Sequence, residues 1–462
     1  MKNSQLLLQR GGHVVKKLKK QRGFVLVLNN GAKINGEAEA MLQALHSRSV
    51  GGIRHHLQVL KEKGATNFMQ QFYVGYGHKS IGDCGSATVF VEGISMLAAK
   101  AIQDWRLYSG QESSTRYVDF SQQPFLNPSG TRKGENVLEN WRHFYLKAQE
   151  PLKEYLKRKY PRQKNEKKEV YEKAIAARAF DIMRAWLPAG ATTNVAWRMN
   201  FRQFADELMM LRHHPLPEVR NIAEATEKAL REMYPSSFSH KRYEQTEKYN
   251  EFVMTKKYYL ERPIKISKNK DFSLLFNKIE RKLLANYKTV LKKRPPKTEL
   301  PNAIAECGVI GYEFLLDFGS FRDLQRHRAV AQRMPLLSTK FGFEQWYLDE
   351  LPKDLQDEGR KLLKKQSKLI KTLKVDKFER QYYLPMGYRV PCRLVGDLKA
   401  LVYLVELRST RFVHPTLVRQ VLKIAKSMEK LFTKDGLVLH LDKEPNRFDI
   451  RRGEQDIIVK NK

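Results

Sequence analysis

Trp186-Leu187-Pro188-Ala189-Gly190 and Tyr383-Leu384-Pro385-Met386-Gly387 are two versions of one pentapeptide, and the residues downstream of each repeat as well. Leu211-Arg212 comes 24 residues after Leu187-Pro188, and Leu407-Arg408 comes 23 after Leu384-Pro385. A His-Pro pair stands next in both blocks, His214-Pro215 and His414-Pro415, and Val219-Arg220 and Val418-Arg419 close them. Upstream, Lys100-Ala-Ile-Gln-Asp-Trp-Arg106 lines up with Arg322-Asp-Leu-Gln-Arg-His-Arg328. Small matches in one order at similar spacing are hard to produce by chance, so they read as a tandem duplication. A period of about 200 residues makes two domains, not a solenoid. The expected division is a first repeat over 1–240, a connecting segment over 241–270 and a second repeat over 271–462. A duplicated domain often rebuilds inside one chain the symmetry of a homo-oligomer.

The rest of the composition is compatible with this. The chain has 462 residues, of which 42% are hydrophobic, enough for buried cores. Lys plus Arg minus Asp plus Glu is 85 − 50 = +35, which suggests anionic partners, with a solvated surface as the bland alternative. Cys84, Cys307 and Cys392 are too few and too scattered for a disulfide framework or a C-x-x-C metal or redox centre. No metal site is expected, and the reducing cytoplasm is the expected compartment. Met1–Lys20 is basic but lacks the apolar core of a signal peptide, and no apolar run is long enough to span a membrane.

Local patterns place the elements. Gly23–Asn29 is β-branched and apolar and ends at the Asn29-Asn30-Gly31 turn signal, which predicts a strand. Ser86–Val91 predicts another strand, Ile94–Arg106 a partly buried helix, and 53–64 a surface helix. Residues 200–233 read as helix interrupted at Pro215 and Pro217. The run 157–168 holds seven Lys or Arg and reads as a solvated helix-linker; 239–270 reads as a polar connection.

Two clusters carry candidate chemistry. Ser109-Gly-Gln-Glu-Ser-Ser-Thr-Arg-Tyr117, after Arg106, combines hydroxyls, a carboxylate and arginines. It suits an anion, with Glu112 placed to accept from a ribose or base; the alternative is an ordinary Ser-rich capping loop. Arg326-His327-Arg328, after the apolar stretch 310–321, suits a diphosphate; the alternative is a solvated helix end. Gly75-x-Gly77-His78-x-Ser80 is Gly-rich but has no phosphate-loop pattern. His213-His214 lacks a third metal ligand, and no Cys–His or G-x-S-x-G nucleophile stands out.

Taken together, Gly77-His78-Lys-Ser80, Phe90-Val-Glu-Gly-Ile-Ser95, Arg106-x-x-Ser109-x-x-Glu112-x-Ser114-x-Arg116-Tyr117, Arg184-x-x-Leu187-Pro188, Asn200-x-Arg202 and Leu211-Arg212 resemble the flavin-dependent thymidylate synthases, the ThyX family. Arg326-His-Arg328, Leu384-Pro385, Leu407-Arg408 and Val418-Arg419 match the same landmarks in the second half. The resemblance implies an α+β fold of two tandem domains, each a small, mainly antiparallel sheet packed with long helices. It also implies reductive methylation of dUMP to dTMP. FAD would be the cofactor, with NADPH and methylenetetrahydrofolate as co-substrates and no cysteine nucleophile.

The departures from the family pattern divide between the halves. The first repeat has Asp104 and Trp105 in place of the first Arg and the His of Arg-His-Arg, and Gln111 in place of an Asn. The second keeps Arg-His-Arg but has Ala331, Arg333 and Met334 at the Ser, Asn and Glu positions, Gln381 where the first has Arg184, and Asp397 where it has Asn200. Family sites lie between subunits of a homotetramer, so the resemblance implies a composite site. Arg326 and Arg408 would act on the uracil edge as catalytic residues. Glu112, Ser114, Arg116 and Arg184 would bind dUMP. Arg326, His327 and Arg328 would hold FAD, with His78, Ser80 and Asn200 as secondary contacts. The expected assembly is a homodimer that mimics the tetramer. The rival readings are another one-carbon transfer to a pyrimidine nucleotide, and a non-catalytic nucleic-acid-binding derivative, which is not favoured.

Overall fold

The computed structural model of the chain describes residues 13–28, 34–259 and 263–454. In the first repeat the order is β1 (His13–Lys17), β2 (Phe24–Leu28), α1 (Gly36–Arg48), α2 (Gly52–Lys63), β3 (Ser86–Ser95), α3 (Met96–Gln103) and β4 (Ser109–Glu112). It continues with α4 (Arg132–Lys159), α5 (Lys168–Met183), β5 (Thr192–Asn200), α6 (Phe201–Leu211) and α7 (Pro217–Met233), and α8 (Glu244–Lys257) follows in the connecting segment. The second repeat has β6 (Phe272–Ile279), β7 (Gly308–Asp317), α9 (Phe318–Leu324), β8 (Ala331–Arg333), α10 (Lys353–Lys371), β9 (Arg389–Gly396), α11 (Leu398–Arg408) and α12 (Pro415–Phe432). All named strand pairs are antiparallel. The sheet orders are β1-β2-β3-β5-β4 and β6-β7-β9-β8. Without β1 the two orders coincide strand for strand, so the fold is α+β and the duplication is visible in its topology.

The predicted elements recur with informative shifts. In β2 the buried positions are Val25 and Val27, the alternation of a one-faced strand. The Asn29-Asn30-Gly31 turn lies outside the described residues. The helix expected from Ile94 begins at Met96, because Ile94 still pairs with Thr193 in β3 and the Ser95 hydroxyl caps the helix by accepting from the Ala98 amide at 3.0 Å. The apolar stretch 310–321 splits between β7 and α9, since Asp317 caps α9 by accepting from the Ser320 amide at 2.9 Å. Within 239–270, α8 is an ordered helix tied to α6: Glu247 accepts from Arg212 Nε at 2.7 Å.

The chain divides into two compact units, Met1–Val118 with Ala191–Tyr258, and Asp119–Gly190 with Tyr259–Lys462. The units are not the repeats: α4 and α5 belong to the second unit, with the sheet β6–β9. The first unit is the five-stranded sheet with α7 against β1 and β2, over a core that includes Val25, Val89 and Trp197. In the second unit α12 packs on β7, and α4 packs against α5 and α10. Trp186 is the hub of that helical layer, with its ring 4.5 Å from Phe144. Gly359 lets α10 approach it, since a Cβ there would lie 2.7 Å from the indole.

The duplicated pentapeptides meet inside this second unit. The Ala189 amide donates to Leu384 O at 2.8 Å and the Met386 amide to Leu187 O at 2.9 Å. The Gly190 amide donates to Tyr382 O at 2.9 Å and the Gly387 amide to Ala185 O at 2.8 Å. Each bond has its mirror image with the repeats exchanged, around an antiparallel bridge between Pro188 and Pro385. This is a self-complementary contact of the kind a twofold dimer makes, written into one chain.

Candidate functional site

Arg326-His327-Arg328 follows α9 directly. Leu324 anchors the turn in the core, His327 turns inward and is 6% exposed, and Arg326 and Arg328 face outward. Arg408, the last residue of α11, donates from Nε to His327 Nε2 at 2.6 Å. That bond makes Nε2 the acceptor, so His327 is neutral with its proton on Nδ1. Burial and the Arg408 guanidinium push the imidazole down to about 3, against the opposing pull of Asp323. Burial lowers Arg408 as well, and Asp323 opposes it. Tyr403, one turn back on α11, lies 5.9 Å from the His327 ring and lines a pocket of about 560 Å³ with Leu300, Val402 and Leu407.

Arg184 enters this region from the other repeat. It starts the segment that pairs with Tyr383–Gly387, and that pairing sets it against α9. Its Nη2 stands 3.7 Å from Asp323 Oδ2, beyond hydrogen-bond reach. Among the described residues its Nε and Nη2 are buried and make no hydrogen bond. Burial works against its charge, but Tyr347, Asp323, Asp181 and Asp317 outweigh that and raise its pKa. The counterpart Gln381 is satisfied instead: it accepts from the Leu337 amide at 2.9 Å and donates to Phe378 O and the Tyr259 hydroxyl, both at 3.1 Å. Of the two equivalent positions, one is closed and the other holds two donors without a hydrogen-bond partner among the described residues.

Behind Arg184 lies a buried polar network that sequence reasoning does not find. Asp317 accepts from the Thr416 hydroxyl at 2.7 Å and the Tyr347 hydroxyl at 2.8 Å. Ser320 Oγ is 2.6 Å from Thr416 Oγ1, and His414 Nδ1 is 2.9 Å from it. Burial raises Asp317, while the Thr416 bond and Arg184 hold it down. The first repeat solves the same junction with the acid on the opposite partner. There Glu218 of α7 accepts from the Ser95 amide at 2.8 Å and its hydroxyl at 2.5 Å. That exchange is the signal a comparison of the helix-start positions would have found.

The nucleotide-loop residues sit in the first unit. β4 lies against β5 at the sheet edge, and Gly110 permits it, since a Cβ there would collide with the Ala196 carbonyl. At its end Glu112 accepts from Gln103 Nε2 at 2.8 Å, and Ser114 caps the turn 115–117 by accepting from the Arg116 amide at 3.4 Å. Asn200 caps α6 through the Gln203 amide at 2.8 Å and donates to Asp83 at 3.0 Å. His78 and Ser80 are exposed at the short helix Lys79–Gly82. Where the second repeat has His327 and Arg408, the first has Trp105, whose indole N–H donates to Gln203 at 2.8 Å, and Arg212, which pairs with Glu247. Asp104 accepts from Lys100 at 2.5 Å and from the Tyr258 hydroxyl. The second unit therefore holds Arg184, Arg326, His327, Arg328 and Arg408, and the first holds Glu112, Ser114, Arg116, His78, Ser80 and Asn200.

A family profile described as thymidylate synthase complementing protein matches residues 34–236. The match covers most of the first repeat, and the chain is similar to that family over those residues. A UPF0159 protein of Chlamydia pneumoniae is 26% identical over 434 residues, covering 80% of each chain. One of Thermoplasma acidophilum is 23% identical over 425 residues, covering 76% of this chain and 84% of its own. Both matches extend beyond what one repeat could supply, so the doubled length is shared. Among the described residues no helix is long and apolar enough to cross a membrane, and no group of three His, Cys, Asp or Glu could hold a metal.

Proposed function

We propose that the chain is a flavin-dependent thymidylate synthase that converts dUMP to dTMP at a site to which both repeats contribute. Arg184 carries the reading. It comes from the first repeat, has buried Nε and Nη2 donors unspent, and stands beside Asp323 in the helix that leads into Arg326-His327-Arg328 of the second. An anion supplies what those donors lack. Arg116 and Arg184 take the dUMP phosphate, and Glu112 and Ser114 orient the nucleotide. Arg326 and Arg408 face the uracil edge, where a cation stabilises negative charge developing on the ring.

The cationic cluster also fits FAD. His327 and Arg328 offer donors to a diphosphate, and Tyr403 offers an aromatic wall. His78 and Ser80 are secondary contacts, as is Asn200, whose side chain is already engaged by Gln203 and Asp83. When bound, the flavin carries the redox chemistry, using NADPH as reductant and methylenetetrahydrofolate as one-carbon donor. The protein residues position and polarise. The self-complementary contact at Pro188 and Pro385 supports an assembly in which two chains stand for four subunits, in the cytoplasm.

The visible spectrum of purified protein tests flavin binding. Mass analysis of the product from dUMP, methylenetetrahydrofolate and NADPH tests the reaction. Arg328→Ala is expected to abolish flavin binding and Arg106→Ala to leave it nearly intact. Equal loss from both would reject the division of labour.

A further inference from the structure

The basic run 157–168 is where the sequence points first for a polyanion contact, and much of its charge is spent at home. Lys157 Nζ lies 3.0 Å from Glu154 and 3.3 Å from Glu172, and Lys159 lies 3.2 Å from Glu350. Arg162 donates to the Glu166 carbonyl at 2.8 Å. The helix α10 differs. Its first two turns are mixed in sign, with Lys353 3.3 Å from Asp357 and Glu358 2.9 Å from Lys147. From Arg360 to its end at Lys371 it holds no acid.

Arg360, Lys361, Lys364, Lys365, Lys368 and Lys371 are all exposed, and among the described residues none of them pairs with a carboxylate. At about 100° per residue these six positions fall within an arc of about 140°, spread over about 16 Å of helix axis. The buried Leu355, Gly359, Gln366 and Ile370 occupy the opposite side, where Gln366 Nε2 donates to Val137 O of α4 at 2.7 Å.

A solvated helix face does not account for this. The helix dipole favours cations only in the last turn, which covers Lys368 and Lys371 but not Arg360 to Lys365. Solubility is served by interspersed signs, as on α4, where Lys153 pairs with Glu150 and Lys157 with Glu154. On α10 the neighbours at i+3 and i+4 repel: 360 with 364, 361 with 364 and 365, 364 with 368, 365 with 368, and 368 with 371. A row of phosphates converts each of those repulsions into a shared attraction.

We infer that the exposed face of α10 docks on the phosphate backbone of a nucleic acid. A single phosphorylated metabolite cannot meet six cations spread along the helix, whereas a duplex carries a charge about every 1.7 Å. A lipid surface is disfavoured because the arc holds no aliphatic or aromatic side chain to enter a bilayer, which interfacial helices carry. Leu362, Leu363 and Leu369 fall outside it.

The test is fluorescence anisotropy of a labelled duplex of about 20 base pairs with the full chain, in salt from about 50 to 200 mM. Three proteins are compared: the natural one; the α10 variant Lys361→Gln, Lys364→Gln, Lys365→Gln, Lys368→Gln; and a control, Arg158→Gln, Lys164→Gln, Lys167→Gln, Lys168→Gln. Both variants lose four charges. At about 0.9 per phosphate contact, the α10 variant is expected to flatten the log–log salt slope by about 3.6, making its loss of affinity over that range about 150-fold smaller. The control is expected to keep the slope within about one contact. Equal flattening in both variants, or no duplex binding by the natural protein, overturns the inference. So does equal α10-dependent binding to phosphatidylserine vesicles. If the α10 variant melts below the natural protein, Lys364→Gln and Lys368→Gln separately carry the test, each expected to flatten the slope by about 0.9.

Discussion

Replacing Arg184 with Met should weaken nucleotide binding strongly while leaving folding almost untouched. Nε and Nη2 of the guanidinium are buried and make no hydrogen bond among the described residues, and the ion-pair partner, the partly exposed Asp323, is 3.7 Å away. A charge-assisted hydrogen bond to a phosphate is worth about 1.5–3 kcal/mol, so two of them amount to about 3–6 kcal/mol, or about 10²–10⁴ in Kd. On the folding side, Met matches the length of the side chain and removes a desolvated cation whose ion pair is poor. Removing one member of a pair is costly when its partner stays buried, but Asp323 is 30% exposed and can be hydrated in place of the lost cation. Asp317 loses a favourable neighbour but keeps its bonds from Ser320, Thr416 and Tyr347. The net change in unfolding free energy is therefore expected within about 1 kcal/mol of zero. Titration calorimetry with dUMP gives the first quantity and urea unfolding the second. Arg184→Lys, which keeps the charge and loses the fork, should fall between. The reasoning fails if Arg184→Met unfolds several kcal/mol more easily while dUMP affinity is unchanged, because Arg184 would then be a structural ion.

Three further outcomes rest on burial and charge. His327 is held near 3, so between the ordinary value of about 6.5 and 3 the unfolded chain takes up a proton that the folded one refuses; stability drops as pH falls through that window, by on the order of 4 kcal/mol. Arg408→Met removes the second cause after burial, so its urea midpoint should fall less steeply with acid; parallel acid limbs would contradict the assigned cause. Glu207 is fully buried, both its oxygens lack partners among the described residues, and burial followed by Asp104 raises its carboxyl well above the usual range. The folded state thus keeps a proton that the unfolded chain releases above about 4.3, stability falls as pH rises from there, and Glu207→Leu should gain most over the natural protein on the alkaline side in urea melts at paired pH values. Gly359→Ala adds a Cβ 2.7 Å from Trp186, so overpacking of about 1–3 kcal/mol should outweigh a helix-propensity gain of about 1 kcal/mol; a raised melting temperature would show a looser crossing.

Much of the architecture is legible in the sequence because it rests on local signals. The Val-rich alternation of β2, the prolines that start α7 and α12, and the repeated Leu-Pro pentapeptide all act over a few residues, as does Arg326-His-Arg328 at a helix end. The features that stay hidden depend on contacts distant in sequence. No local pattern tells that α4 and α5 fold with the sheet of the other repeat, or that Pro188 bridges Pro385. Tyr347 and His414 look like ordinary core aromatics until the Tyr347 hydroxyl is found on Asp317 and His414 Nδ1 on the Thr416 hydroxyl. Tyr258 reads as part of a polar connection, yet its hydroxyl donates to Asp104. The periodic pattern starts α3 too early because an apolar Ile94 extends it backward, while the Ser95 cap sets the real boundary.

The two Leu-Arg pairs show how one residue of spacing gives two arginines different partners. Both helices are capped at corresponding positions, Asn200 for α6 and Asp397 for α11. Arg408 comes 11 residues after its cap, and Arg212 comes 12 after its own. That step turns the side chain by about 100° around the axis. Arg408 consequently meets His327, whereas Arg212 is drawn to Glu247, and Leu211 stands where an arginine would be needed. Trp105 adds the second half of the change, because an indole offers only a donor and could not have accepted from that arginine. Donor and acceptor are thus both absent from the first repeat, just as Arg184 holds unspent donors where Gln381 is a satisfied amide. Scattered decay would strip single members and leave partners stranded in the core. Whole interacting pairs differ together between the repeats, which is what the proposed single shared site requires.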